Sequence, residues 1–331
     1  MQKPVDDAFR AEIDAIYRSY AIYHQADGAE QAVFAPATGL PTSRSAMLLD
    51  TFRRHAGLPS HGRMLDIGCG NGATIRAFQA GAPGWTHVGT EFDDRYRREV
   101  ESIPNTECMH VGEPADVPGT FDVITMIHVL EHLVDPIAFL ASLHGKLAAG
   151  GVLLVEVPHH VANPFELLIA DHRSHFDARS LRRVLAAAGY GIVVLADDWI
   201  PKELSVVARP VATPYGEKDG DAAAVTASLS RDLEWLRRTA DRFRALAAHG
   251  PLGLFGTSIA GTWLAAEAGE GLAFFVDEDP ARIGKHYLGR PVLAPADVPD
   301  AGRVFVGLPT TLATAICRRL ARPGVTFIPP D

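Results

Sequence analysis

The feature that most constrains this chain is an apolar run that breaks into glycines, Arg63-Met-Leu-Asp-Ile-Gly-Cys-Gly-Asn-Gly72, and passes straight into a helical pattern over residues 73–80. Glycines at such a junction let the backbone turn tightly and approach a ligand, and the following helix offers its unpaired N–H groups. Asp66 stands before the first glycine, where a carboxylate meets a ligand's ammonium through the loop. The next apolar run, His87-Val-Gly-Thr-Glu91, ends in an acid about twenty residues further on, the place where an acid takes both hydroxyls of a ribose. Two more apolar runs follow, Phe121–Ile127 and Val152–Val157, with a helical stretch (136–147) and Gly150-Gly151 between them. A helix over 178–188 and runs at 191–195 and 204–208 complete the series. Strands that alternate with helices predict βαβ units and a doubly wound parallel sheet, covered on both faces because the strands are apolar throughout.

This frame divides the chain into four parts. Residues 1–60 read as a helical cap, with Phe9, Ile13, Ile16, Tyr17 and Tyr20 at helical steps and a second helix over 45–55. Tyr17, Tyr20 and Tyr23 are either a lid over a ligand or a packing face. Residues 61–209 form the doubly wound domain. Residues 210–250 form a linker rich in Pro, Gly and charge, then one long amphipathic helix with a stripe of Val225, Leu229, Leu233, Leu236, Phe243 and Leu246. Residues 251–331 restart the alternation as a second, smaller Rossmann-like domain. Its loop, Phe255-Gly-Thr-Ser-Ile-Ala-Gly261, has Ser258 where a dinucleotide loop has its middle glycine, and Asp277 stands at the ribose-acid distance. Two readings stay open there, a nucleotide site and a purely structural turn.

Composition narrows the function. With 31 Lys+Arg against 40 Asp+Glu the net charge is −9, the wrong balance for a protein whose main partner is a phosphate backbone. Three scattered cysteines make neither a disulfide framework nor a thiolate zinc site. The start lacks a signal peptide's apolar segment and no apolar run is long enough to span a bilayer, so the expectation is a cytoplasmic protein with no membrane partner.

The motifs resemble those of the class I S-adenosylmethionine-dependent methyltransferases: LDIGCGNG (65–72), HVGTE (87–91), FDVITMIHVLEHLVDP (121–136) and GGVLLVEVP (150–158). The resemblance covers about residues 60–208. It implies S-adenosyl-L-methionine as cofactor. Asp66, Gly68, Cys69 and Gly70 would hold its methionine part and Glu91 its ribose. Phe92 and Glu113 would meet the adenine, and Ile127 and His128 complete the cofactor set. With the helical linker and the Rossmann-like tail, the chain is similar to the sugar C-methyltransferases; Phe275–Lys285 and Gly289–Val292 are like segments of their tails. In that family the tail helps to bind a nucleotide-linked keto sugar. Those enzymes begin with a cysteine-rich zinc module, and this chain has no such cysteines.

Candidate catalytic groups come from the histidines. His128 and the His159–His160 pair follow predicted strand ends, and His172 and His175 lie in Asp171-His-Arg-Ser-His-Phe176, like the segment that relatives place over the acceptor. An imidazole takes an acceptor's proton at neutral pH. His172, His175 and His128 are therefore the catalytic candidates, and His132 reads as an orienting or packing residue. No metal is expected, because His172 and His175 have no third ligand near them in sequence. The leading expectation is methyl transfer to a small-molecule acceptor, a nucleotide-linked sugar or related metabolite, on carbon or oxygen, by a homodimer. The alternatives are a non-catalytic cofactor-binding protein with a regulatory or assembly tail, and a tail that acts as a dehydrogenase domain.

Overall fold

The computed structural model describes residues 6, 7, 11, 32–34, 41–212 and 222–331. The expected N-terminal helix, with Tyr17, Tyr20 and Tyr23, and most of the linker lie outside the described residues. The chain divides into two compact units. The first holds residues up to His160 and Ala170–Gly220; the second holds Val161–Ile169 and Asp221–Asp331.

In the first unit, a short hairpin of β1 (Ala32–Phe34) and β2 (Pro41–Ser43) leads into α1 (Arg44–Ala56). Ser43 caps α1 by accepting from Ala46 N, and Gly57 ends it in the left-handed conformation. Its apolar face buries Leu48, Leu49 and Phe52. The main sheet is built from β3 (Gly62–Ile67), β4 (Trp85–Glu91), β5 (Thr106–Val111), β6 (Phe121–Ile127), β7 (Leu147–Pro158), β8 (Tyr190–Ala196) and β9 (Glu203–Pro210). Their order across the sheet is β5-β4-β3-β6-β7-β9-β8. The first five are parallel, whereas β9 runs antiparallel to β7 and β8 antiparallel to β9.

The burial of β6 explains its sequence: Phe121, Val123, Ile124 and Met126 are all fully buried, as a central strand covered on both faces requires. One face packs Leu65, Ile124, Leu153, Phe176 and Leu181. The other packs Phe52, Met64, Phe78, Trp85 and Val123. The covering helices include α2 (Ala73–Gly81), α4 (Pro136–Ser142) and α5 (Ala178–Ala187), with the short α3 (Arg97–Glu101) before β5. The helix expected over 136–147 is shorter, because its last residues tighten into a 3-10 turn over Leu143–Lys146. The strand order reverses at β3, whose successors β4 and β5 lie on one side and β6 and β7 on the other. That reversal opens a crevice at the carboxyl ends of β3 and β6.

Besides Val161–Ile169, the second unit contains the long α6 (Ala222–Ala247). Leu236, Ala240, Phe243 and Ala247 are its buried apolar residues, whereas Leu233, expected in the stripe, is 53% exposed. A second sheet follows, ordered β12-β13-β11-β10-β14-β15. Its strands are β10 (Leu252–Phe255), β11 (Leu272–Val276), β12 (His286–Tyr287), β13 (Arg290–Leu293), β14 (Gly302–Phe305) and β15 (Val325–Ile328). All pair in parallel except the two-residue β12. α7 (Ile259–Ala268) and α8 (Thr310–Arg319) complete it. Phe243, Leu254, Phe275 and Phe305 form its centre. Both units are thus α/β with a parallel-rich sheet, the second smaller. Among the described residues, no helix is long and apolar enough to cross a membrane.

Candidate active site

The glycine loop lies at the carboxyl end of β3. Gly68 and Gly70 have φ of 68° and 53°, the left-handed region where a side chain is strained. A Cβ at Gly68 would also stand 2.6 Å from Val129 Cγ2. The Gly68 and Cys69 amides donate to Thr90 O at the end of β4, which ties the loop to the next strand. Gly70 N donates to Glu91 Oε1 at 2.7 Å, and Phe92 N donates to Glu91 Oε2 at 3.1 Å. The acid is therefore held over the loop, and Phe92 beside it is 82% exposed.

Asp66 is buried on β3, and Thr125 Oγ1 donates to its Oδ1 at 2.6 Å. Its Oδ2 has no partner among the described residues. Burial pushes this carboxyl up to about 7, against the pull of the Thr125 hydroxyl, and the Glu91 charge adds to the rise. A buried carboxylate oxygen without a donor is what a cationic ligand group would satisfy. Cys69 is buried too; burial pushes its thiol far up, so it contributes backbone rather than reactivity. Glu113 is exposed just past the end of β5, and Ile127 is half-buried at the end of β6. Asp66, Gly68, Gly70, Glu91 and Phe92 thus converge where β3 and β4 end.

A second cluster occupies the carboxyl ends of β6 and β7 and the start of β9. His128 has φ of 55°, an uncommon backbone for a non-glycine residue, and such strain concentrates at functional positions. Its Nδ1 lies 3.1 Å from Glu131 Oε1, and its Nε2 lies 3.8 Å from Glu156 and 3.7 Å from Glu203. Arg44, the first residue of α1, pairs with Glu156, and Ser205 Oγ donates to the other Glu156 oxygen at 3.2 Å. Burial and the Arg44 charge push the His128 imidazole down, but Glu203 and Glu131 outweigh them and its pKa is raised. Burial pushes Glu203 up to about 7, opposed by His128 and Arg44.

His172 and His175 are buried, at 7% and 1% exposure. The loop that carries them is pinned by Arg173 N and Ser174 N, which donate to Glu131 O at 2.8 and 2.9 Å. The His172 ring stands edge-on to His132, with centroids 4.6 Å apart. Sequence reasoning missed Arg44, Glu156 and Glu203 and underrated Glu131 and His132. Glu156 left a legible trace, an acid inside the apolar run of β7; Arg44 and Glu203 left none.

In the second unit, Asp277 Oδ2 accepts from Thr257 N at 3.2 Å and Thr257 Oγ1 at 2.9 Å, while Oδ1 accepts from Glu278 N and Asp279 N. Arg282 lies 3.4 Å from the same carboxylate. A Cβ at Gly261 would meet Gly256 O at 2.2 Å, so that glycine is required for helix–strand packing.

Residues 43–195 match the family model described as a methyltransferase domain. A trans-aconitate 2-methyltransferase of Methylobacterium radiotolerans is 26% identical over 193 residues, covering 53% of this chain and 66% of that protein. A ubiquinone biosynthesis O-methyltransferase of Xanthomonas campestris is 28% identical over 135 residues, 37% of this chain and 53% of that one. The matches therefore span about half to two thirds of those relatives' length. Among solved structures, an S-adenosylmethionine-dependent methyltransferase of Clostridium acetobutylicum gives a TM-score of 0.42 at 10% identity, covering 62% of this chain and 98% of that one. Residues 43–195 thus resemble a methyltransferase domain. The loop fits S-adenosylmethionine, the group the motifs imply: Asp66 has a buried oxygen to satisfy, and a Cβ would obstruct the cradle at Gly68.

Proposed function

We propose that the chain is an enzyme that methylates a polar small molecule bound at the carboxyl ends of β6, β7 and β9. The observation that carries this reading is the buried cluster of His128, Glu156, Glu203 and Arg44 on strand ends that adjoin the glycine loop. A protein that only bound the cofactor would have no need of buried, mutually opposed charges beside it, because each is costly to desolvate.

S-adenosylmethionine, when bound, supplies an electrophilic methyl group on a sulfonium. Asp66 would hold the methionine ammonium, the Gly68–Gly70 backbone its carboxylate end, Glu91 the ribose hydroxyls and Phe92 the adenine. The remaining task is to orient the acceptor in line and remove its proton. Glu203 is suited to that second role: a carboxyl raised to about 7 is a competent base at neutral pH. His128 and Arg44 hold it in place and stabilise its charged form. Glu156, paired with Arg44, keeps the cluster close to neutral. His172 and His175 are assigned to the wall of the acceptor space.

The acceptor we propose is a nucleotide-linked sugar or a related polar metabolite, on the strength of the resemblance of residues 275–292 to the tails of sugar C-methyltransferases. The test is turnover of labelled cofactor against a panel of nucleotide sugars, with Glu203→Gln and wild type side by side. The expected result is transfer to one member of the panel and a loss of about 10²–10⁴ in kcat for the variant, the usual worth of a positioned base. Full activity in Glu203→Gln would remove Glu203 from the chemistry. Cofactor binding with no transfer to any acceptor would favour a non-catalytic binding protein.

A further inference from the structure

We propose that Glu131, His132 and His172 form a binding site for a divalent transition-metal ion in the first unit, with Asp171 orienting His132. One donor atom from each of the three residues lies within 4.8 Å of the other two. Glu131 is completely buried, and among the described residues neither of its carboxylate oxygens receives a well-formed hydrogen bond. His128 Nδ1 approaches one of them, Oε1, to 3.1 Å, and Oε2 is left unmet. Beside the His128 imidazole, the unmet Oε2 of this buried carboxylate is an oxygen that a further cation would satisfy.

The three donors are held together by the fold rather than by chance of rotamer. Glu131 and His132 are neighbours on a 3-10 turn, Leu130–His132, just beyond β6. The two amide bonds from Arg173 and Ser174 to the Glu131 carbonyl fix the loop that brings His172 against them. His132 Nδ1 lies 3.2 Å from Asp171 O and 3.4 Å from Asp171 Oδ2. That contact assigns the proton to Nδ1 and leaves Nε2 for an ion, the carboxylate–histidine–metal arrangement.

Two imidazoles and one carboxylate suit Zn²⁺ and its neighbours in the first transition row, and they suit Mg²⁺ and Ca²⁺ poorly, since those prefer oxygen donors. Three protein ligands leave a coordination position open. Bonds of about 2.1 Å in a tetrahedron space the ligand atoms about 3.4 Å apart, so the donors need to close by about 1–1.5 Å on binding. Rotations of the His132 and His172 side chains supply that movement. The spacing of His172 and His175 in sequence concealed the site, because its other two ligands lie some forty positions earlier, on the turn after β6. The site is independent of which acceptor is methylated.

The test uses the full chain, purified without a histidine tag and stripped with chelator, then titrated with Zn²⁺ and, separately, with Co²⁺ followed by its visible absorption. The expected result is saturation at about one ion per chain, and Co²⁺ bands of the intensity that low coordination gives. His172→Ala and His132→Ala should each abolish saturable binding. Asp171→Asn should weaken it about 10- to 100-fold, as loss of an orienting partner does. His249→Ala, in the second unit, should change nothing. Glu131→Gln is the severest variant and the one most exposed to misfolding, so His172→Ala, on a loop, is the deciding one. No saturable binding of Zn²⁺ or Co²⁺ by wild type, or binding that survives both histidine variants, overturns the proposal. S-adenosylhomocysteine titration of the same samples separates this from a failure of the cofactor site.

Discussion

Each unit carries a glycine loop at the end of its first parallel strand and an acid at the end of the next, yet the two acids are held differently. Glu91 accepts from two backbone amides and stands beside Asp66, whose Oδ2 has no donor. Asp277 accepts from three backbone amides and a hydroxyl and is paired with Arg282 besides. Two residues before the first loop glycine the first unit has Asp66; at the same place the second has Leu254, fully buried in an apolar core. The lesson is that a glycine loop and an acid at the right spacing report how a strand packs on a helix. A ligand site is distinguished by a polar atom that the protein itself leaves unmet.

The largest effects should come from the first loop. Asp66→Ala and Glu91→Ala are each expected to weaken S-adenosylhomocysteine binding about 100-fold, or about 2.7 kcal/mol, the worth of a hydrogen bond to a charged group. Calorimetric titration reads this directly. Asp277→Ala should leave that affinity unchanged but destabilise the second unit by about 3 kcal/mol, since three backbone amides lose their acceptor and the mostly buried Arg282 keeps only Asp279 as a carboxylate partner. Thermal unfolding measures that cost, and a tenfold change in cofactor affinity would show that the two loops are not independent.

The pH dependence sharpens the same contrast. Asp66 is raised to about 7 in the folded protein from an ordinary value of 3.8. The folded state therefore keeps a proton that the unfolded chain gives up, and the stability this confers is lost as pH rises from about 4 through 7. Asp66→Asn should accordingly stabilise the unliganded protein at pH 8, by up to roughly 4 kcal/mol, while it weakens cofactor binding. In wild type, affinity for the cofactor's cationic ammonium should rise between pH 6 and 8, with proton release seen as a dependence of the heat on buffer. The smallest effect belongs to Cys69→Ala. It should cost about 1 kcal/mol of stability from the lost contact over Gly89 and leave cofactor affinity intact.

Much of this was legible in the sequence. The apolar runs at 63–67, 87–91, 121–127 and 152–157 are strands because a doubly covered sheet needs continuous apolar residues, and the glycines between them mark the turns. β5 was not legible: it is an edge strand, and Glu107 and His110 interrupt its apolar character. β12 and β13 are too short to carry a period. The glycine loop could be read because its residues are consecutive. The charged clusters could not, because Arg44, Glu131, Glu156, His172 and Glu203 meet only when α1, β6, β7, β9 and a loop are folded together. A lone acid within an apolar strand, as at Glu156, was the available hint.

The central claim is that one loop holds the cofactor and the other is structural. The direct measurement is a calorimetric titration with S-adenosylhomocysteine of wild type, the Asp66→Ala/Glu91→Ala double variant and Asp277→Ala. The account predicts about one site per chain in wild type and in Asp277→Ala, and no measurable heat in the double variant. Binding that survives the double variant, or that disappears in Asp277→Ala with the fold intact, would contradict it.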